Sequence, residues 1–160
     1  MAVDMFLKIE GVEGEARDKD HENEIDVLSW NWGMTQSGSM HLGGGGGAGK
    51  VNVQDLSVTK WIDKSSANCQ RYCAKGKHFG EALLTVRKAG DHPLEYVKIT
   101  MHKVMVTSVQ TGGSGGEDRL TENVILNFEK VKFEYTEQKQ DGSKGKTFEF
   151  GWDIPRHEEF

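Results

Sequence analysis

The sequence predicts a mainly β protein, a compact β-barrel of two curved antiparallel sheets with one flanking α-helix. Apolar and polar residues alternate in a series of short runs, which is the period of strands with one buried face. Glycine-rich segments separate many of these runs, as turns do between antiparallel strands. The alternation also changes phase inside several runs, which indicates β-bulges in strongly curved sheets.

The first strands are predicted at residues 5–9 and 25–34, on either side of a charged loop at residues 13–23. In the second strand, small or polar residues separate four large apolar ones. This pattern predicts that the four share one buried face: Leu28, Trp30, Trp32 and Met34. Asn31, between the two tryptophans, is then expected to point the opposite way.

Later runs change phase, and each change predicts a bulge or sharp bend. The apolar sets that differ in phase are Val51/Val53 and Leu56/Val58, Ile99/Met101 and Val104/Val106, and Leu126/Phe128 and Val131/Phe133. Two further runs, at residues 82–86 and 148–154, alternate without a change of phase.

The residue pattern of one segment, residues 63–76, predicts a helix. Asp63 and Ser65 are residue types that favour a helix N-cap, and Gly76 stands where a helix commonly ends. Three residues fall on one face at helical spacing: Cys69, Tyr72 and Cys73. Two cysteines do not make a disulfide framework, so a reduced, cytosolic origin fits the chain best.

The chain has 160 residues, which suits one domain spanning residues 1–160 with an extended glycine-rich loop at residues 37–50. Its net charge of −5 argues against nucleic acid or an anionic membrane as partner, because both attract cationic faces. We find no apolar run near the ~20 residues that span a bilayer, and the first residues lack the pattern of a signal peptide.

The glycine-rich loop resembles a phosphate-binding loop, but the match fails at its end. Gly44, Gly49 and Lys50 have the right spacing, whereas Val51 replaces the Ser or Thr that would bind magnesium. A helix should follow such a loop, and the sequence predicts a strand instead. We therefore expect a surface loop that orders on contact with a neighbour.

The sequence gives no spacing typical of a catalytic or metal site, so no catalytic, cofactor or metal residues are predicted. The histidines form neither a His-x-His nor a His-Glu-x-x-His pair, and Gly-x-Ser-x-Gly does not occur. Cys69 and Cys73 could share a metal, but burial in the core is the expectation. Trp30 and Trp32 could stack on a ligand such as a sugar, but two tryptophans on one strand face more often fill a core.

Four ordered blocks of the sequence stand out: residues 25–34 (IDVLSWNWGM), 36–56 (QSGSMHLGGGGGAGKVNVQDL), 84–90 (LTVRKAG) and 109–124 (VQTGGSGGEDRLTENV). Through these blocks the chain resembles the Hcp family, the haemolysin-coregulated proteins of the bacterial type VI secretion system. The match covers nearly the full length of the chain, and the last block is the most specific.

The resemblance implies a β-barrel with one flanking helix that assembles into hexameric rings. These rings stack into a tube that a contractile sheath drives out of the cell, tipped by a VgrG spike. Effector proteins can ride in the lumen, where the ring acts as their receptor and chaperone. The implied location is the bacterial cytoplasm, followed by secretion without a signal peptide.

The resemblance also implies roles for particular residues. Asn31 stands where relatives carry a small polar residue, often Ser, that faces the lumen and contacts cargo, so the cargo set is expected to differ. The glycine-rich loop corresponds to an extended loop that reaches an adjacent ring or protomer. Its expected contact residues are Ser39, His41, Gly43, Gly44, Gly45, Gly46, Gly47 and Lys50.

Three functional hypotheses remain at this point. The first is a ring subunit of a secretion tube that also holds cargo. The second is a dedicated effector receptor in which tube building is secondary. The third is a toxin enzyme carried in the same chain, but the six residues from Pro155 to Phe160 that follow the last predicted strand cannot form a catalytic domain.

Overall fold

A computed structural model describes residues 3–42, 49–90 and 93–160. It contains ten strands and one α-helix within these ranges. The strands are β1 Val3–Ile9, β2 Ile25–Asn31, β3 Met34–Thr35, β4 Asn52–Val53, β5 Leu56–Trp61, β6 His78–Lys88, β7 Glu95–Gly112, β8 Thr121–Gln138, β9 Lys144–Asp153 and β10 Glu158–Glu159. The helix, α1, is Ser66–Lys75.

The main sheet has eight strands in the order β10-β9-β8-β5-β2-β1-β6-β7, and a further pairing of β7 with β8 closes it. Six strands therefore form a closed antiparallel barrel. The long strand β8 makes this possible, because its first half pairs with β5 and its second half pairs with β9 along the same edge. The predicted β-barrel with one helix is confirmed, although its two curved sheets are parts of one continuous sheet.

The barrel is filled by alternate side chains of the strands. On β5 and β8 the inward residues are fully buried, among them Leu56, Val58, Val124 and Leu126. Trp30 and Trp32 pack against this core and are partly buried, as predicted. Asn31 is exposed on the opposite side, which is the direction that the alternation predicted.

The predicted changes of phase are confirmed. Residues 54–55 separate β4 from β5, and residues on both sides of Lys103 change from odd to even buried positions. Lys103 itself has a φ of 55°, an uncommon backbone conformation for a residue with a side chain. Its neighbour β8 changes phase at the matching point, between Phe128 and Val131, so the two strands bend together.

The prediction for residues 25–34 was partly wrong. Leu28 is 37% exposed and Met34 is 39% exposed, so neither shares the buried face of Trp30 and Trp32. The pairing of β2 with β5 shifts register between Val27 and Ser29. This bulge moves the buried positions from odd to even numbers and places Leu28 outside the core.

The helix is confirmed, with Ser65 at its N-cap and Gly76 at its C-cap. Gly76 has a φ of 60°, and its N–H and that of Lys77 bond to the carbonyl groups of Cys73 and Tyr72. Cys69 is buried, and Tyr72 and Cys73 pack against the core as the helical spacing predicted. No helix in the described part of the chain is long and apolar enough to cross a membrane.

Candidate assembly and cargo surface

A patch on the outer face of four neighbouring strands is built from uncharged side chains. Strand pairing places the residues in two cross-strand rows, and paired residues point to the same side of a sheet. The rows are Asn31–Ser57–Ile125–Ser108 and Ser29–Thr59–Asn123–Gln110, on β2, β5, β8 and β7 in that order. We call these eight residues the neutral face. Charged residues make up 28% of the chain, so a face built from seven uncharged polar residues and one isoleucine is distinctive.

The neutral face keeps part of its hydrogen-bonding capacity free. Its internal bonds centre on Asn123, whose side-chain amide donates to Ser57 Oγ and to the carbonyl of Val58, both at 3.1 Å. Asn31 is exposed in the same face. Its side chain offers two donors and one acceptor group to solvent or to a bound partner.

Trp61 lies at one end of the same face, two residues beyond Thr59 on β5. The Arg119 guanidinium stands 4.4 Å from the centre of its ring. A groove of about 410 Å³ beside this pair is also lined by Asp26. Partial burial raises the pKa of Asp26, and the charge of Arg119 offsets part of that rise. An aromatic ring with a stacked arginine is a combination that protein interfaces favour.

Both outer edges of this four-strand surface are open. β1 pairs with β2 only at Asp26 and Ile25, so the β1 side of residues 27–31 has no strand partner in the described chain. On the other side, β6 pairs with β7 only as far as Met105, so residues 106–112 have no strand partner on that edge among the residues that the structure describes. Unpaired edges can extend a sheet by pairing with another chain.

The glycine-rich loop begins and ends in a small two-stranded sheet formed by β3 and β4. Ser39 is half-buried and its carbonyl accepts a hydrogen bond from the N–H of Leu42, while His41 and Lys50 are exposed. Gly49 lies so close to Ser37 that a methyl group there would overlap the Ser37 hydroxyl. Gly43, Gly44, Gly45, Gly46 and Gly47 lie outside the described residues. A strand follows the loop, not the helix that a phosphate-binding loop requires.

The described residues contain no group of three or more His, Cys, Asp or Glu placed to hold a metal ion. Burial raises the pKa of the Cys69 thiol to about 11, so this thiol stays protonated near neutral pH. A protonated thiol is a poor nucleophile and a poor metal ligand.

Asn31 was the one residue of the neutral face singled out from sequence, because the others are brought beside it only by the register of distant strands.

Comparison with known proteins agrees with this structure. The family described as "Type VI secretion system effector, Hcp" matches residues 6–135. Protein hcp1 of Pseudomonas aeruginosa is 63% identical over 156 residues, covering 96% of each chain. A crystal structure of Hcp1 from Salmonella typhimurium is 39% identical, covers all of both chains and superposes with a TM-score of 0.82. A solved type six secretion system protein reaches a TM-score of 0.94 at 29% identity, over 99% of this chain and all of the other.

Fold and surface thus define a closed β-barrel with an uncharged patch on its outer face and open sheet edges. The chain belongs to the Hcp family of type VI secretion system proteins. This is a family of secreted, structural proteins of that system rather than a known family of enzymes.

Proposed function

We propose that this protein is the tube subunit of a type VI secretion system. Residues 1–160 act as one Hcp-like unit that forms hexameric rings, and the rings stack into the secreted inner tube. The observation that carries this proposal is the pair of open edges on β2 and β7. The two edges belong to different strands, so a contact between them is heterologous, and a heterologous contact closes into a ring when its rotation allows.

Pairing of the β2 edge of one copy with the β7 edge of the next would join their four-strand surfaces into one continuous sheet. The neutral face would then repeat around one side of that sheet. We infer that this side is the lumen, with Asn31 on its surface. A lumen without strong charge suits a conduit, because a charged wall would hold oppositely charged cargo too firmly to release it.

Effector proteins are the cargo in this proposal, and the ring is their receptor and chaperone. The tube carries a VgrG spike and is driven by a contractile sheath. The subunit is made in the bacterial cytoplasm and exported without a signal peptide. Its role is structural, without catalysis. The open edges favour tube building as the main function over the alternative of a dedicated effector receptor for which assembly is secondary.

The loop at residues 37–50 provides contacts between neighbouring copies in this proposal, through Ser39, His41, Lys50 and the glycines 43–47. His41 and Lys50 are exposed and so are accessible to a second copy. The small sheet of β3 and β4 holds the base of the loop in place.

Negative-stain microscopy of the purified protein tests the assembly. We expect rings with a central hole and six-fold symmetry. A species that stays monomeric by light scattering at high protein concentration would reject the proposal.

Substitution of Asn31 tests the lumen. Asn31→Trp places a bulky side chain on the neutral face, and we expect effectors that co-purify with the rings to be lost while the rings persist. Glu149→Trp is a suitable control, since Glu149 is exposed on β9, away from the neutral face. Equal recovery of effectors with both variants would remove Asn31 from the cargo surface.

A further inference from the structure

The loop between β1 and β2, residues 10–24, is attached to the sheet through a buried histidine. Both nitrogens of the His21 ring contact carboxylates. Nδ1 lies 2.9 Å from Glu24 Oε2, within the loop, and Nε2 lies 2.7 Å from Glu95 Oε1, at the first residue of β7. We call His21, Glu24 and Glu95 the histidine bridge. It joins the loop to a strand that begins 74 residues further along the chain.

The two contacts of the ring require two donated protons. A neutral imidazole donates through one nitrogen and accepts through the other, whereas an ionised carboxylate only accepts. Burial raises the pKa of Glu95, but its hydrogen bond with His21 and the charge of Lys98 outweigh burial, so the pKa is lowered and Glu95 is ionised near neutral pH. A ring with protons on both nitrogens donates to both carboxylates, and the two distances are those of charge-assisted hydrogen bonds. The geometry therefore fits an imidazolium between two carboxylates.

The charges around His21 favour a cation at this position. The described ion pairs on this side of the sheet contain five carboxylates and two other cations, which are Asp4 of β1, Asp18, Asp20 and Glu24 of the loop, Glu95 and Lys98 of β7, and Arg87 of β6. Arg87 pairs with the three aspartates, and Lys98 lies 3.3 Å from Glu95 Oε2. The carboxylates thus outnumber these two cations, and a proton on His21 reduces the excess of negative charge.

Burial makes Glu24 dependent on that proton. Its side chain is 13% exposed, and His21 is its one ion-pair partner among the described residues. Its second oxygen, Oε1, is buried without a hydrogen-bond partner. The face of the His21 ring stacks on Phe6 of β1, with ring centres 4.4 Å apart and an angle of 10°. A buried carboxylate is costly without a compensating charge, and in this place the imidazolium provides it.

The histidine bridge fixes the part of the loop that leads into β2. The two arms of the loop pair through backbone hydrogen bonds, from Gly14 N to Asn23 O at 2.8 Å, from Ala16 N to Glu24 O at 2.9 Å and from Asn23 N to Ala16 O at 3.0 Å. β2 begins at Ile25, directly after Glu24. Loss of the bridge would therefore free both arms of the loop and the entry to β2.

We propose that the histidine bridge is a pH-sensitive link between this loop and the barrel. With both ring nitrogens protonated, His21 holds the loop against the start of β7. At alkaline pH the ring gives one proton to water, and one nitrogen then presents a lone pair to a carboxylate. The loop separates from β7 while the barrel stays folded. This inference concerns the folded subunit and does not depend on the proposed ring.

Hydrogen exchange of the loop amides at different pH values tests the link. The readout is the protection of the Gly14, Ala16 and Asn23 N–H groups, corrected for the intrinsic pH dependence of exchange. We expect protection in the unsubstituted protein to fall about tenfold between about pH 6.5 and about pH 9, the range in which a histidine loses its second proton. In Glu95→Gln the new amide donates to a neutral His21, so both contacts persist and protection should change less than about twofold.

Lys98→Met is the matched control. It removes the cation beside Glu95 and leaves the three members of the histidine bridge in place. Protection in Lys98→Met should fall with pH as it does in the unsubstituted protein, and this result together with a constant protection in Glu95→Gln supports the inference. Equal falls in Glu95→Gln and the unsubstituted protein, or no fall in the unsubstituted protein, would overturn it. Constant protection in Lys98→Met would overturn it as well.

A second measurement uses the unsubstituted protein and does not depend on the folding of Glu95→Gln. Nitrogen NMR of protein labelled in its histidines distinguishes a doubly protonated ring from a neutral one, and the signal missing from His21→Gln identifies His21. At about pH 7.5 we expect the His21 ring to carry both protons while the exposed His78 ring is mostly neutral. A His21 ring that is neutral at this pH would overturn the inference.

Discussion

At the scale of single residues, the strongest departure from an apolar core is a buried lysine. The side chain of Lys60 is fully buried, and its Nζ lies 2.8 Å from Glu122 Oε2 and 3.1 Å from Asp63 Oδ1. The Ser66 hydroxyl, in the first turn of α1, also donates to Glu122 Oε2. This cluster connects the start of the helix to the end of the barrel, and the lysine is the cation for both carboxylates.

Removing one member of that cluster leaves an uncompensated charge inside the protein. We expect Lys60→Met to lower the free energy of unfolding by about 3–5 kcal/mol, because Glu122 loses its cation. Urea unfolding at fixed protein concentration measures the change. The double variant Lys60→Met with Glu122→Leu should recover most of the loss, because apolar residues of similar volume often replace a buried ion pair at little cost. If the single variant is as stable as the parent, the ion pair of Lys60 with Glu122 does not contribute to the free energy of unfolding.

The loop between β1 and β2 is held by charged groups that titrate in acid. The two terminal nitrogens of the Arg87 guanidinium group donate hydrogen bonds to the Asp18 carboxylate, Nη1 at 3.0 Å from Oδ1 and Nη2 to Oδ2. These hydrogen bonds lower the pKa of Asp18. Burial alone would raise the pKa of Glu95, but its hydrogen bond with His21 and the charge of Lys98 lower it. A carboxylate with a lowered pKa stabilises the fold above its unfolded pKa, and the benefit is lost as pH falls through the folded value.

Asp18→Asn should therefore destabilise the protein at pH 7 and have a diminishing effect as the pH falls below about 4, the region where an unfolded aspartate titrates. Thermal unfolding of both proteins from pH 7 to pH 3 measures the difference. Asp20→Asn is the matched control, because Asp20 is more exposed and stands 3.8 Å from Arg87. If the difference in unfolding temperature between the parent and Asp18→Asn stays constant across this pH range, the ionised Asp18 carboxylate is not the source of the stabilisation.

At the scale of elements, the end of α1 depends on the backbone conformation of a single residue. Gly76 adopts the left-handed conformation at the end of the helix, and an added methyl group would meet Met105 at 3.8 Å, an ordinary contact. Space is therefore available, and the backbone conformation alone limits substitution. We expect Gly76→Ala to lower the free energy of unfolding by about 1 kcal/mol, and Gly76→Asn by less, since Asn adopts this conformation more easily. Denaturant unfolding of the three proteins gives the order, and Asn costing more than Ala would contradict it.

Elements defined by local chemistry were predictable, and α1 with its caps is the example. The bulge at Leu28 was not, because the apolar residues from 28 to 34 alternate without interruption in sequence. Its position depends on how β2 aligns with β5, which lies about thirty residues further along. The exposure of Phe148 was hidden for a related reason: alternation identifies an apolar face, but it does not show what covers that face.

The candidate site was predictable to a similar extent. Asn31 could be singled out and given a direction, since its two tryptophan neighbours occupy the core side of the strand. The residues that share its face, Ser57, Ile125 and Ser108, come from three other strands and meet only through their registers. Long-range register is set by the packing of the whole barrel, so a local pattern carries little information about it.

At the scale of the whole molecule, the two open edges make a prediction that separates ring formation from other forms of association. Amides that gain a strand partner exchange their hydrogens more slowly. If β2 of one copy pairs with β7 of the next, backbone N–H groups within residues 27–31 and 106–112 should become protected in ring fractions. The same amides should exchange faster in monomeric fractions of the same preparation, separated by size.

The outer edge of β9 is the internal control for this measurement. β10 pairs only with Asp153 and Trp152, so the rest of that edge, residues 144–151, is also largely open. It lies outside the four-strand surface, and assembly through β2 and β7 leaves it unpaired. Hydrogen exchange followed by mass spectrometry should therefore show protection at 27–31 and 106–112 with little change at 144–151. Protection confined to β9 would place the contact between copies on the other side of the barrel and remove the neutral face from the lumen.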